Sequence, residues 1–540
     1  MRFSFKNILK KKKPLAGLFL FVISALFLTA CHRAPEGLPD TIVVGSLADA
    51  RRLLPLFAAD SASADISGLV FNGLTKYDRN VKITGDLAKS WQIKKGGLEI
   101  IFHLRKGVKW QDGRDFTSAD VLFTYKTVTD PKVPTPYSSN YGPVEKVEAP
   151  DPYTVKVYYK KPFAPALESW GMGIIPKHIL KGKDVSAEQF NRHPVGTGPY
   201  RLKQWITGQR IELEAFDGYF EGKPGIKRYI MRIIPDMSTM FLELKFGGID
   251  YMDVTPAQYK LVVSRSRFFH KYFNRFRYPS FGFTYVGWNL LDPRFSDVRI
   301  RRALSHAIDK ASIIKGALMG YGTPCTGPFL PGSWAYNPAV PDPAYDPARS
   351  LELFREAGWT LRNGVLQKDG KPFSFTILTN QGNTERLLAA QIIKEDLGKV
   401  GVLANIKVLE WQALLHDFID KKRFEAVILG WSLSRDPDLY EIFDSSQTKD
   451  GGFNFVSFKD PRADRLIEEG RTTFDLKKRM RIYHKLHYLL AQEQPYTFLY
   501  VPDALPVLNR KFRGVKEAPL GIWYDFIHWR IPRQKTLWYN

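Results

Sequence analysis

Only two cysteines, Cys31 and Cys325, occur in the 540 residues, so no disulfide framework holds this chain and its stability has to come from a buried core. Long apolar runs are also missing. The longest, Leu15 to Leu28, has 14 residues, whereas a membrane-spanning helix needs about 20. The chain has neither a Gly-x-Ser-x-Gly elbow, nor a His-Glu-x-x-His helix, nor a phosphate-binding Walker loop, which argues against the commonest hydrolases and nucleotide enzymes. Histidines number ten. His484 and His487 stand three apart on an expected helix, but no carboxylate or cysteine pattern of metal type flanks them, so they read as an ordinary wet helix face and no metal or other cofactor is expected. Acid is scarce relative to base, 55 Asp and Glu against 79 Lys and Arg, for a formal charge of +24. The bases are scattered in short groups such as Lys94-Lys95 and Lys421-Lys422-Arg423. That distribution fits a solvated surface, and no nucleic-acid partner is expected.

What is present begins with Arg2, Lys6 and Lys10 to Lys13, followed by the apolar stretch and then by Leu28-Thr29-Ala30-Cys31. The order of basic, apolar and small residues is that of a secretory signal, assigned to residues 1–30. Its end resembles the lipobox of bacterial lipoproteins, which implies cleavage before Cys31 and a diacylglyceryl group on its sulfur. Several acyl chains would hold the mature domain at a membrane surface without inserting it. Removing the leader lowers the formal charge to +18, so the basic excess belongs to the mature part as well.

About 500 mature residues exceed what one core serves, so two or three lobes are expected. No Gly/Ser linker separates them, which suggests that the chain passes between lobes more than once. Strand and helix signals alternate as in an α/β or mixed α+β protein. Ile100, Phe102 and Leu104 share one face of an expected half-buried strand. Val155 to Tyr159 and Ile211 to Ala215 also alternate as strands. Thr117-Ser118-Ala119-Asp120 starts a helix with a capping box; Asp297, Asp346-Pro347 and Thr384 begin others. Residues 321–347 read as a long irregular loop.

Several segments together resemble family 5 of the bacterial extracellular solute-binding proteins, the oligopeptide, dipeptide and nickel receptors of ABC importers. They run from Asp86-Leu87-Ala88-Lys89-Ser90-Trp91 through Phe102 to Trp110 and Asp112-Gly113, then to Gly196-Thr197-Gly198-Pro199-Tyr200, Asp297 to Lys310, and Ala357-Gly358-Trp359. The resemblance implies a type II periplasmic-binding-protein fold with two lobes, an extra inserted domain and a ligand cleft at a two-strand hinge. The expected division gives 31–58, 196–280 and 495–540 to lobe I, 59–195 to its inserted subdomain and 281–494 to lobe II. Crossings are expected near Pro279 to Val286 and near Gln494 to Val501. Most of the quoted glycines and prolines read as turn chemistry that identifies the scaffold.

The resemblance also implies a monomeric, non-enzymatic receptor that closes over a peptide-like or other small ligand and presents it to an ABC transporter permease at the outer face of a membrane. In peptide-binding members, a segment like Gly430-Trp431-Ser432-Leu433-Ser434-Arg435-Asp436-Pro437-Asp438 lies at the cleft. There an acidic residue three positions after the tryptophan holds the peptide ammonium. Here that position is Ser434, which carries no charge. Either Asp436 or Asp438 serves instead, or the ligand is not an ordinary peptide; a further reading has both aspartates only shaping the turn before Pro437. Gly430, Trp431 and Trp411 complete the candidate site, the tryptophans as apolar walls. Capture of haem or a nickel complex stays open, and the alternatives from other classes are an envelope-binding lipoprotein and a muropeptide-processing enzyme.

Overall fold

The computed structural model describes residues 40–519 and 521–532, so the leader and Cys31 lie outside the described residues. Its frame is two large mixed sheets. The first orders its strands Phe273–Arg275, Pro506–Asn509, Tyr251–Asp253, Thr41–Ser46, Arg228–Ile233, Arg210–Ala215 and Tyr200–Ile206. The second runs Tyr278–Pro279, Tyr496–Ala504, Gly282–Trp288, Ala426–Ser432, Ser374–Asn380 and Leu403–Leu409, with Gly322–Pro324 added on Tyr496–Ala504. Ser374–Asn380 and Leu403–Leu409 are parallel, and the helix Thr384–Lys399 makes the crossover between them.

A third, antiparallel sheet orders Ala88–Lys94, Glu99–Leu104, Thr154–Tyr159 and Val144–Asp151. Ile100 and Phe102 of this sheet belong to the same continuous core as Ile42, Val44 and Tyr229 of the first sheet. The second sheet has separate cores on its two faces, one around Trp288 and Phe375, the other around Tyr285 and Tyr496. Glu99–Leu104 is interior to its sheet, and Glu99 and Ile101 are buried along with Ile100 and Phe102. The strand expected to be half-buried is therefore covered on both faces.

The chain passes between the large sheets twice. Phe273–Arg275 pairs in the first sheet and Tyr278–Pro279 in the second, so one passage lies at Phe276 and Arg277. Tyr496–Ala504 pairs in the second and Pro506–Asn509 in the first, which puts the other at Leu505. The two are adjacent, because the Phe276 amide donates to the Pro506 carbonyl at 3.0 Å. The first passage lies just before the stretch expected near Pro279 to Val286, and the second just after the one expected near Gln494 to Val501. The return expected at 495 comes later, because Tyr496–Ala504 first completes a ladder with Gly282–Trp288.

Local signals hold at the helix starts. Thr117 and Asp120 form a reciprocal capping box on Ser118–Val128, and Asp297 and Asp346 cap Val298–Ala307 and Pro347–Glu356. Gly196 and Gly198, expected to serve a turn, serve close packing instead. A Cβ on Gly196 would lie 1.8 Å from the Val70 carbonyl oxygen, and one on Gly198 2.5 Å from that of Leu69. Only a residue without a side chain lets this segment cross the end of the helix Ser61–Val70.

His487 is a second correction. It lies fully buried, not on a wet face, with its Nδ1 accepting from the Asn337 amide and its Nε2 against Thr326 Oγ1 at 3.1 Å. Burial lowers its pKa to about 4, so the ring is a neutral structural connector. Among the described residues no group of three or more His, Cys, Asp or Glu could hold a metal ion. Cys325 is also buried, its thiol donating to the Gly327 carbonyl, and burial pushes its pKa up to about 12.

Candidate functional site

Between the second large sheet and the segments around the helix Ser61–Val70 lies a cavity of about 1150 Å³, at the upper end of or above the range of ordinary small-molecule sites. Gly430, Trp431, Ser434, Asp436, Asp438 and Trp411 all line it. The strand Ala426–Ser432 delivers Gly430 and Trp431 to the rim, in register with Thr284 and Phe283. Gly430 leaves room for the Arg386 guanidinium, 3.1 Å from where a Cβ would sit. Trp431 stacks on Tyr285 at 6.3 Å and donates from Nε1 to the Tyr496 hydroxyl at 3.2 Å, so one face of the indole is fixed by the core. Trp411 opens a short helix capped by Glu410.

After Ser432 the chain turns into a loop with Ser434 exposed. The two aspartates beyond it are engaged. Asp436 accepts from Arg479 Nη1 and Nη2, both at 2.6 Å, a bidentate pair with the guanidinium almost wholly buried. Burial works against the Arg479 charge, and the Asp436 carboxylate more than offsets it. Asp438 faces Arg471 Nε at 3.0 Å. Neither carboxylate is left uncompensated, which weakens both as partners for a ligand ammonium.

The loop is also held from the opposite side of the cavity. Glu168, on the short helix Ala166–Ser169, accepts from the Arg435 amide at 3.0 Å and the Asp436 amide at 2.7 Å. Nearby, Glu441 accepts from Asn140 Nδ2 at 2.7 Å, and the Ala164 amide donates to the Arg471 carbonyl. Further along the seam Arg51 pairs with Asp420 at 3.0 Å, and Gln412 donates to the Asp49 carbonyl. Desolvation, with Asp436 adding repulsion, pushes Glu168 up to about 7; desolvation and Asp438 push Glu441 up to about 8. Sequence reasoning missed Glu168 and Glu441. Neither sits in a motif, and Glu168 meets the loop across 267 residues of chain.

Two lobes built from separate sheets, joined by paired crossings and facing each other over a ligand-sized cavity, define a type II periplasmic-binding-protein fold. Residues 82–454 match the family model described as bacterial extracellular solute-binding proteins, family 5 middle, and the chain belongs to that family. It is 34% identical over 552 aligned positions to the oligopeptide-binding protein AppA of Bacillus subtilis (strain 168), covering 97% of this chain and 100% of that one. The solved structure of that AppA in complex with a nonapeptide superposes with a TM-score of 0.86 at 33% identity, over 91% of this chain and 99% of the other. NikZ of Campylobacter jejuni in complex with Ni(L-His) gives 0.83 at 29%, over 91% and 100%.

Proposed function

We propose that the chain is the ligand-capture protein of a peptide ABC importer, working as a monomer outside the cytoplasm and tethered to a membrane through lipid on Cys31. It closes its lobes over a peptide and offers the closed form to the permease, with no catalytic step. The observation that carries this reading is the cavity itself, lined on one side by the helix Ser61–Val70 and on the other by Gly430, Trp431 and the loop after them, in a chain whose two large sheets are joined by the adjacent crossings at Phe276–Arg277 and Leu505. Paired crossings of this kind let a few residues absorb the backbone change of closure. A volume above that of usual small-molecule pockets suits several peptide residues. The names of the relatives point the same way. Gly430, Trp431, Ser434 and Trp411 are assigned to the ligand-facing wall, while Asp436 and Asp438 shape and neutralise the loop.

Two measurements test this reading. The purified domain beginning after Cys31 is expected to gain thermal stability with free-ended peptides of three to nine residues, rising with the logarithm of peptide concentration and without turnover. Absence of any stabilisation across such a set overturns the peptide assignment. In cells, Cys31→Ala is expected to move the full-length protein from the membrane fraction to the soluble one. Unchanged fractionation defeats the lipid tether alone.

A further inference from the structure

Of the acids that line the cavity, six are already occupied. Asp436 and Asp438 face Arg479 and Arg471, and Asp420 faces Arg51. Glu168 accepts two loop amides, Glu441 accepts from Asn140, and Asp60 caps Ser63. The seventh is Asp65. It projects from the helix Ser61–Val70, its side chain open to the cavity, and among the described residues neither a hydrogen bond nor an ion pair reaches it. The protein crowded around it, with the charges of Asp253 and Asp60, pushes its carboxyl up to about 7. A cation placed beside it would remove that cost.

The facing wall carries the opposite charge on Arg435, which feels the charge of Glu168 but has no ion pair among the described residues. The Arg435 guanidinium lies 3.7 Å from the centroid of the Phe281 ring, which holds it in a stacked pose. Its Nη1 is buried and has no acceptor among the described residues. A buried donor without a partner is costly, and a ligand carboxylate would satisfy it with a charge-assisted bond. The other lining cations are placed differently. Arg51 and Arg479 are paired with acids, Lys422 donates to the Thr448 carbonyl, Lys449 reaches Ser138 Oγ, and Arg52 stacks on Phe57 with no buried orphan nitrogen.

We propose that the cavity orients a ligand bearing charges of both signs, with its cationic group on Asp65 of the first lobe and its anionic group on Arg435 of the second. This rests on the peptide reading above and narrows it to peptides with both termini free. The partner for the ammonium thereby moves from the loop after Trp431, where Ser434 offers none, to the helix on the opposite wall. Because the two groups belong to different lobes, a doubly charged ligand ties the lobes together only when they are shut.

Binding of penta-alanine, N-acetyl penta-alanine and penta-alanine amide, measured by calorimetry on the domain beginning after Cys31, separates the possibilities. Acetylation is expected to weaken binding to the wild type by about tenfold or more, and to change little in Asp65→Asn. Amidation is expected to do the same in the wild type and little in Arg435→Gln, with Arg435→Lys restoring part of the sensitivity. Unchanged unfolding curves without peptide certify that the variants fold. Equal affinity of the three peptides for the wild type overturns the proposal, as does an acetylation penalty that survives in Asp65→Asn. If none of the three binds while other peptides stabilise the protein, the proposal fails and the peptide reading stands. If no peptide of any length binds, both fall.

Discussion

Replacing Arg479 by methionine is expected to lower stability by about 3–5 kcal/mol, the cost of leaving a buried carboxylate without its partner. Arg479, on the helix Leu476–Glu493, gives both Nη atoms to Asp436, Nε to the Gly470 carbonyl and a further bond to the Tyr483 hydroxyl. Its loss strands Asp436 beside Asp438 and Glu168, so repulsion adds to desolvation. The denaturation midpoint of the ligand-free domain reports the effect. Asp436→Asn combined with Arg479→Met is expected to recover part of the loss, because an amide tolerates burial better than an unpaired charge. A double variant as unstable as Arg479→Met would assign the cost to the Gly470 and Tyr483 bonds instead. Since Asp436 and Arg435 share the loop that faces the cavity, the single variant should weaken peptide binding as well as folding.

Peptide affinity is expected to fall by about 500-fold between pH 6 and pH 8, because closure takes up protons. Glu168 and Glu441 sit on the seam between the lobes, at about 7 and about 8, against an ordinary value of 4.5. Opening the seam hydrates both and returns them toward that ordinary value. Each raised pKa belongs to the closed form. Its stabilisation is therefore complete below the ordinary value and is lost as pH rises through the raised one. The groups around Glu168 are Tyr77, Arg435 and Asp436; those around Glu441 are Asp438, Arg471, Tyr137 and Tyr141. Calorimetry of peptide binding in buffers of different ionisation enthalpy is expected to show uptake of roughly one to two protons near pH 7. The uptake should vanish in Glu168→Gln combined with Glu441→Gln. Proton uptake that is absent in the wild type, or unchanged in that variant, refutes the assignment.

Short-range physics was legible in the sequence and long-range pairing was not. Thr117, Asp297 and Asp346 announce helix starts because a cap is satisfied within three residues, and the alternation in Val155 to Tyr159 marks a strand wherever the sheet lies. The six expected site residues all reach one cavity, since the segment that bears five of them is continuous in sequence. Which charges stay available is another matter. Asp436 and Asp438 look free in the sequence, but their partners come from two later helices, Leu476–Glu493 and Pro461–Thr472. Asp65 looks like any polar helix residue until the folded chain closes a cavity around it. Gly196 and Gly198 read as a turn, since nothing local reveals that Val70 lies against them. His487 reads as wet because the loop that covers it, with Thr326 and Asn337, arrives from about 150 residues away.

The strand Pro506–Asn509 lies between Phe273–Arg275 and Tyr251–Asp253, and Tyr496–Ala504 lies between Tyr278–Pro279 and Gly282–Trp288. Both halves of the molecule thus wait for almost the last part to leave the ribosome before their hydrogen-bond ladders can be finished. A nascent chain halted short of residue 496 has two incomplete frameworks and no way to close either by itself. If the proposed leader routes the chain through an export channel, this order of assembly delays folding until nearly the whole length has been delivered to the far side.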